Sequence, residues 1–151
     1  MKVCVAGTFN VIHKGHTSLL EKAFEVGDEI FIGLTSDLMA RSFRDVGIQS
    51  FDVREKNLAE AAQRLSGGKR FHITQINDVY GPAAVGDYDA IVVSEETERN
   101  AIEINKARRR QGLKELDIIV IDMVLADDAK PVSSTRILRG EIGVDGKAPS
   151  A

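Results

Sequence analysis

The sequence predicts an α/β protein built on a doubly wound parallel sheet. Three observations carry that prediction. Short apolar runs recur along the chain, several of them continuous in Ile, Val and Phe, the pattern of parallel strands covered on both faces. They alternate with amphipathic segments of helical period, which implies crossover helices between parallel strands. The first apolar run also passes directly into a glycine turn and a helix start, the arrangement of a ligand-binding edge in such sheets.

In order along the chain, strands are expected at Lys2–Ala6, Glu29–Leu34, Arg70–Gln75, Ala90–Val93 and Asp117–Asp122. Helices are expected near Gly15–Val26, Val53–Leu65 and Glu98–Gln111. Residues Ser36–Phe51 carry Arg and Asp in a pattern that suggests a short helix followed by a mobile loop. Ser66-Gly67-Gly68 is a helix stop. Residues 1–142 read as a single domain, and the tail from Gly143 to Ala151 lacks apolar anchors and is expected to fray.

A chain of 151 residues suits one domain, burying about two thirds of its unfolded surface. A hydrophobic content of 43% with 28% charged residues is that of a soluble globular protein. The net charge of −3 argues against nucleic acid as a general partner, which would favour a basic face. No apolar run approaches the ~18 residues of a membrane span, and no signal-peptide core precedes the first strand. The single cysteine, Cys4, lies in an apolar strand pattern and is expected in the core, and a cytoplasmic location is expected for the chain. No motif speaks to oligomeric state.

The richest stretch is Gly7-Thr8-Phe9-Asn10 followed by His13-Lys14-Gly15-His16. A glycine at the end of a strand lets a ligand come close to the backbone. A helix that starts just after it offers unpaired N–H groups and a positive dipole end to a phosphate. Histidines three apart on a helix share a face, with Cβ atoms about 5–6 Å apart, and can donate to one phosphate group. Taken alone, His-x-x-His also fits two surface histidines, or two zinc ligands without a third and fourth. Near the other end, Val132-Ser133-Ser134-Thr135 follows Pro131 and opens a helix. Its hydroxyls and free N–H groups suit phosphate oxygens, and a plain N-cap is the simpler alternative. In the middle, Val92-Val93-Ser94-Glu95-Glu96-Thr97 ends a strand and opens a helix that continues through Asn105 and Arg108. Acidic residues at that helix's start and basic ones at its end also complement its dipole.

These motifs resemble the H-x-G-H nucleotidyltransferase superfamily, whose pattern is matched by Gly7, Thr8, Phe9, His13, Gly15 and His16; Asn10 stands where an aspartate is usual. The Ser133–Thr135 stretch resembles the same superfamily's I-S-S-T/S signature. The stretch from Val92 to Leu116 is similar to the archaeal phosphopantetheine adenylyltransferases and to the matching domain of eukaryotic bifunctional coenzyme A synthase. The resemblance spans most of Met1–Leu138 and implies a Rossmann-like nucleotidyltransferase fold. It implies adenylyl transfer from ATP to 4'-phosphopantetheine, with Mg²⁺ carried on the ATP phosphates and no protein-held metal. In this scheme His16, Lys14 and Thr8 act at the α-phosphate. Gly7, Thr8, Phe9, His13, Gly15, His16, Glu95, Thr97, Ser133, Ser134 and Thr135 bind the nucleotide. Thr8, Asn10, Asn105, Arg108 and either Arg41 or Arg44 hold the acceptor. A solvated basic loop is the simpler alternative for the last two. His72, alone in a strand pattern, reads as structural. Two other readings remain open: another phosphate acceptor (glycerol 3-phosphate, nicotinamide mononucleotide or flavin mononucleotide), and a non-catalytic nucleotide-binding regulator.

Overall fold

The computed structural model describes residues 1–43, 47–122, 124–130 and 132–147. Its elements run β1 (Lys2–Gly7), α1 (Lys14–Val26), β2 (Glu29–Thr35), α2 (Asp37–Phe43), α3 (Phe51–Leu65), β3 (Arg70–Ile76), β4 (Ala90–Ser94), α4 (Glu98–Arg110), β5 (Asp117–Ile121) and α5 (Ser134–Leu138), with a 3₁₀ turn at Gly81–Ala84. The five strands form one sheet in the order β3-β2-β1-β4-β5, and every neighbouring pair is parallel. Each expected strand and helix is present, with ends within two residues. The short helix expected after Ser36 is α2.

Alternation along the strands divides the core into two layers. Val3, Val5, Ile30, Ile32, Leu34, Ala90 and Val92 face α1 and α3, where Leu20, Ala23, Phe24, Leu58, Ala61 and Ala62 meet them. Cys4, Ile91 and Val93 point the other way, toward Ala101 and Ile104 of α4. Cys4 is therefore a core residue, and burial pushes its thiol pKa up to about 12 against the opposing field of Arg108. Strand order reverses between β1 and β4, so the chain leaves these two neighbours on opposite faces. That divergence opens a crevice at their carboxyl ends.

Part of the tail expected to fray lies among the described residues. Gly143–Lys147 is bound through its backbone: Gly143 N–H donates to Lys147 O (2.9 Å), Asp127 N–H to Gly146 O (2.9 Å) and Lys14 N–H to Val144 O (2.8 Å). Val144, the apolar residue of this stretch, is exposed, so peptide groups do the anchoring. The remaining tail residues lie outside the described set.

The crevice edge is tied together by Arg54, whose side chain on α3 is completely buried. Its Nη1 donates to Thr35 O (2.8 Å) and Thr8 O (3.1 Å), its Nε to Gln49 O (2.9 Å), and its Nη2 to Asp37 Oδ1 (2.9 Å). One guanidinium thus links the ends of β1 and β2, the start of α2 and the segment leading into α3. Removing one partner of such a network leaves the others buried and unsatisfied. Arg54→Leu should lower unfolding free energy by about 3 kcal/mol or more in urea titrations, although leucine suits the apolar face of α3; a loss below about 1 kcal/mol would show that the carbonyls find other donors.

Candidate active site

At the carboxyl ends of β1 and β4 lies a cleft of about 400 Å³. Its walls include Gly7, Thr8, Phe9, His13, Gly15 and His16 from the first connection, Thr35 and Met39 from the second, and Ser94, Glu96, Thr97 and Asn100 from the turn into α4. Ser133 and Val132 close it from the far end of the chain. The motifs from both chain ends and the middle therefore meet at one place.

The first turn of α1 explains the spacing of its histidines. His13 is the N-cap residue, and its Nδ1 accepts the Gly15 N–H at 3.0 Å. In return, His16 Nδ1 accepts the His13 N–H at 3.3 Å. This is a capping box assembled from imidazoles. The two rings stack with centroids 3.7 Å apart and an interplanar angle of 20°. Because each Nδ1 is an acceptor, the proton of each neutral ring resides on Nε2. The expectation of unpaired helix N–H groups is thereby modified. Lys14 N–H and Gly15 N–H are already bound, the first by Val144 O and the second by His13. The histidine rings thus form part of the cap itself.

The residues around the pair are shaped by the same requirement. A Cβ on Gly15 would sit 2.8 Å from His13 Cε1 and 3.1 Å from its Nδ1, so the glycine is what allows the imidazole to cap. A Cβ on Gly7 would approach the Phe9 ring at 3.1 Å. Phe9 itself is fully buried with φ +48°, a left-handed conformation that costs a residue with a Cβ about 1–3 kcal/mol. Its ring lies 5.0 Å from that of His16, so the strained turn places an aromatic support beneath the second histidine.

Other predicted residues fall differently. Thr97 Oγ1 accepts the Ser94 N–H at 3.1 Å and lines the cleft. Closure of that turn, Thr97 N–H to Ser94 O at 3.1 Å, leaves Glu95 in solvent and gives the cleft wall to Glu96. Ser133 Oγ caps Arg136 N–H (3.2 Å), so the simple N-cap reading holds at a residue that also faces the cleft. Ser134 and Thr135 form the first turn of α5. Lys14 and Arg41 are exposed and stand outside the cleft wall, and Arg44 lies outside the described residues.

Three expected acceptor contacts are engaged elsewhere. Asn105 exchanges both amide bonds with the Leu116 backbone, at 2.9 and 2.7 Å. Arg108 donates from Nε to Lys114 O (2.7 Å) and from Nη1 to Ala83 O (2.9 Å) and Gly86 O (2.7 Å). Both are buried braces of the α4–β5 connection, away from the cleft. Asn10 is also buried: Nδ2 donates to Gly47 O (3.0 Å), and Oδ1 accepts Gln49 N–H (2.8 Å). Sequence reasoning missed Thr35 and Arg54. The signal for Arg54 was an arginine in register with Leu58, Ala61 and Ala62 on the apolar face of α3.

A cytidylyltransferase-like family model matches residues 4–140. The chain belongs to that family. Among its relatives, a phosphopantetheine adenylyltransferase of Methanothermobacter thermautotrophicus is 50% identical over 141 residues, covering 93% of this chain and 84% of that one. One from Methanosarcina mazei is 40% identical over 149 residues, covering 97% and 96%. A crystal structure of an Archaeoglobus fulgidus protein of unknown function superposes with a TM-score of 0.74 at 35% identity, over 81% of this chain and 90% of that one. A Thermoplasma volcanium lipopolysaccharide core biosynthesis protein shares the cytidylyltransferase-like chain's fold at a TM-score of 0.65 and 20% identity, over 80% and 95%.

The capping geometry makes a prediction opposite in sign to helix propensity. Alanine is ordinarily favoured over glycine in a helix by up to about 1 kcal/mol. Gly15→Ala should instead destabilise the protein by about 1 kcal/mol, the scale of a lost N-cap, because the new methyl displaces His13. Chemical denaturation measures the sign directly, and a gain in stability would mean that the ring yields without uncapping α1.

Proposed function

We propose that this chain transfers the adenylyl group of ATP to 4'-phosphopantetheine, forming dephospho-coenzyme A and pyrophosphate in coenzyme A biosynthesis. The carrying observation for the chemistry is the reciprocally capped His13–His16 pair at the cleft. The choice of acceptor is supported by relatives at 40–50% identity that are named for this reaction.

The reaction joins an oxygen of the pantetheine phosphate to the α-phosphorus of ATP and breaks the bond from that phosphorus to the bridging oxygen of pyrophosphate. The attacking phosphate has a second pKa of about 6 and is largely ionised at neutral pH, so no general base is needed. What the protein must supply is alignment of two anions and stabilisation of charge on the α-phosphate and the leaving pyrophosphate. Positioning contributes up to about 7–11 kcal/mol in well-oriented reactions, and preorganised donors add several more.

His16 donates from Nε2 to the α-phosphate, and His13 from Nε2 to the adjoining phosphate. Gly7 lets the triphosphate approach the end of β1, and Phe9 and Gly15 hold the two rings in place. Thr8 stands where both reactants meet. Lys14, on its long stem, follows the departing pyrophosphate, while Ser133, Ser134 and Thr135 bind the triphosphate from the α5 side. Thr97 and the neighbouring Glu96 face the nucleoside. Arg41 and Arg44 are the remaining basic candidates for the acceptor phosphate. ATP enters as its Mg²⁺ complex, with the metal held by phosphate oxygens and water. Among the described residues no helix is long and apolar enough to cross a membrane, and a cytoplasmic location fits the substrates.

Pyrophosphate release with ATP and Mg²⁺ tests this reading, with 4'-phosphopantetheine beside glycerol 3-phosphate, nicotinamide mononucleotide and flavin mononucleotide. Release with phosphopantetheine alone, and a product of dephospho-coenzyme A mass, is the expected result. In the same assay, His16→Ala should reduce turnover by about 10²–10³-fold, the scale for one charge-stabilising donor, with a much smaller effect on ATP affinity. Unchanged turnover would remove His16 from the mechanism.

A further inference from the structure

Thr8 directly follows β1 at the cleft, and among the described residues its hydroxyl pairs with Thr35 Oγ1 at 3.0 Å. Thr35 ends the neighbouring β2 and is buried. Behind Thr35 lies the Arg54 guanidinium, with Nη1 2.8 Å from Thr35 O and 3.4 Å from Thr35 Oγ1. We propose that Arg54 and Thr35 are positioning residues that act through Thr8: a buried relay from Arg54 Nη1 through Thr35 Oγ1 to Thr8 Oγ1 fixes the Thr8 hydroxyl as a donor aimed at a phosphoryl oxygen in the cleft.

The direction of the relay follows from the chemistry of its members. A guanidinium has donors only, so a hydroxyl oxygen beside it presents a lone pair to the cation and turns its own hydrogen away. For Thr35 the acceptor on the far side is Thr8 Oγ1. A hydroxyl carries one hydrogen. Thr8, having accepted from Thr35, keeps its hydrogen for another acceptor, and the open side of Thr8 is the cleft. Arg54 is itself paired with Asp37, so its part is to orient the hydroxyls rather than to bring net charge to the ligand. Burial in a low-dielectric layer strengthens each link. The relay deepens the reading of this cleft as an ATP site and rests on it.

A double-mutant cycle tests the relay. Turnover and ATP affinity, by pyrophosphate release and titration calorimetry, are measured for wild type, Thr8→Val, Thr35→Val, the double variant and Thr35→Ser. Each single valine variant should lose about tenfold in turnover and several-fold in ATP affinity, a hydrogen bond to a charged group being the unit lost. The double variant should lose no more than Thr8→Val alone, because in the relay Thr35 acts on the ligand through Thr8. Losses that multiply would mean that Thr35 meets the ligand directly from the cleft wall. Thr35→Ser, which keeps the hydroxyl, should restore activity to within about twofold, whatever its melting temperature. Multiplying losses, a Thr35→Val enzyme as active as wild type, or a Thr35→Ser enzyme as impaired as the valine would each overturn the relay. If Thr35→Val does not fold, Thr35→Cys, whose thiol is a weak donor of similar size, replaces it in the cycle with the same expectation. Wild type that binds ATP but does not turn over phosphopantetheine would refute the proposed reaction, while the affinity cycle would still decide the relay. Absence of ATP binding by wild type would overturn both.

Discussion

The arrangement of the cleft depends on one buried cation. Carbonyls in a parallel sheet point sideways toward the neighbouring strand, and the β1–β2 ladder stops at Gly7 and Leu34, so Thr8 O and Thr35 O lie just past its last rung. Arg54 Nη1 donates to Thr8 O and Thr35 O, sharing a hydrogen with the more distant Thr35 Oγ1, while Nε and Nη2 donate to Gln49 O and Asp37. A lysine could supply three donors from one point, but not a planar fork reaching four separate backbone and side-chain acceptors. The guanidinium is therefore the group that lets two strands finish side by side and still leave a stable rim for a ligand.

The first turn of α1 solves a related problem at a helix end. Four N–H groups there need partners, and the usual partners are Ser, Thr, Asp or Asn. Here His13 is the cap, His16 answers it, and Val144 takes the Lys14 N–H from the other end of the chain. An imidazole that accepts at Nδ1 carries its remaining proton on the opposite side of the ring. Capping thus converts short backbone donors into longer side-chain donors while preserving the positive end of the helix dipole. The price is steric, and it falls on Gly15, where any side chain would displace the first ring.

Much of this fold was legible in the sequence, for a physical reason. Parallel strands covered on both faces tend to be apolar throughout, and the Ile, Val and Phe runs of β2 and β4 state that locally. The pairing of His13 and His16 at a strand-to-helix turn was legible for the same reason, since strand, glycine and helix start are neighbours in the chain. Asn105 and Arg108 were not. Polar residues near a functional motif look like ligand contacts until their distant carbonyl partners are known, and those partners at Leu116, Ala83, Gly86 and Lys114 are set by tertiary packing. Glu95 and Glu96 differ by one position in a tight turn, which is enough to exchange solvent for cleft. The docking of Gly143–Lys147 was hidden because it uses peptide groups, which every sequence possesses.

Asn10 shows how a departure from a family pattern can be read once its surroundings are known. Its amide donates to Gly47 O and accepts from Gln49 N–H. A carboxylate in the same position could make only the second bond, and it would bury a charge beside a carbonyl oxygen. Gln49 is held at once by Asn10 through its N–H and by Arg54 through its carbonyl, so the segment entering α3 is gripped from the β1–α1 connection on one side and from α3 itself on the other. The buried amide and the buried guanidinium are thus parts of one device. The first sets where the segment before α3 lies, and the second depends on that segment to complete its coordination. Asparagine at this position therefore satisfies both backbone groups of the segment before α3, which the aspartate expected from the family pattern could not do.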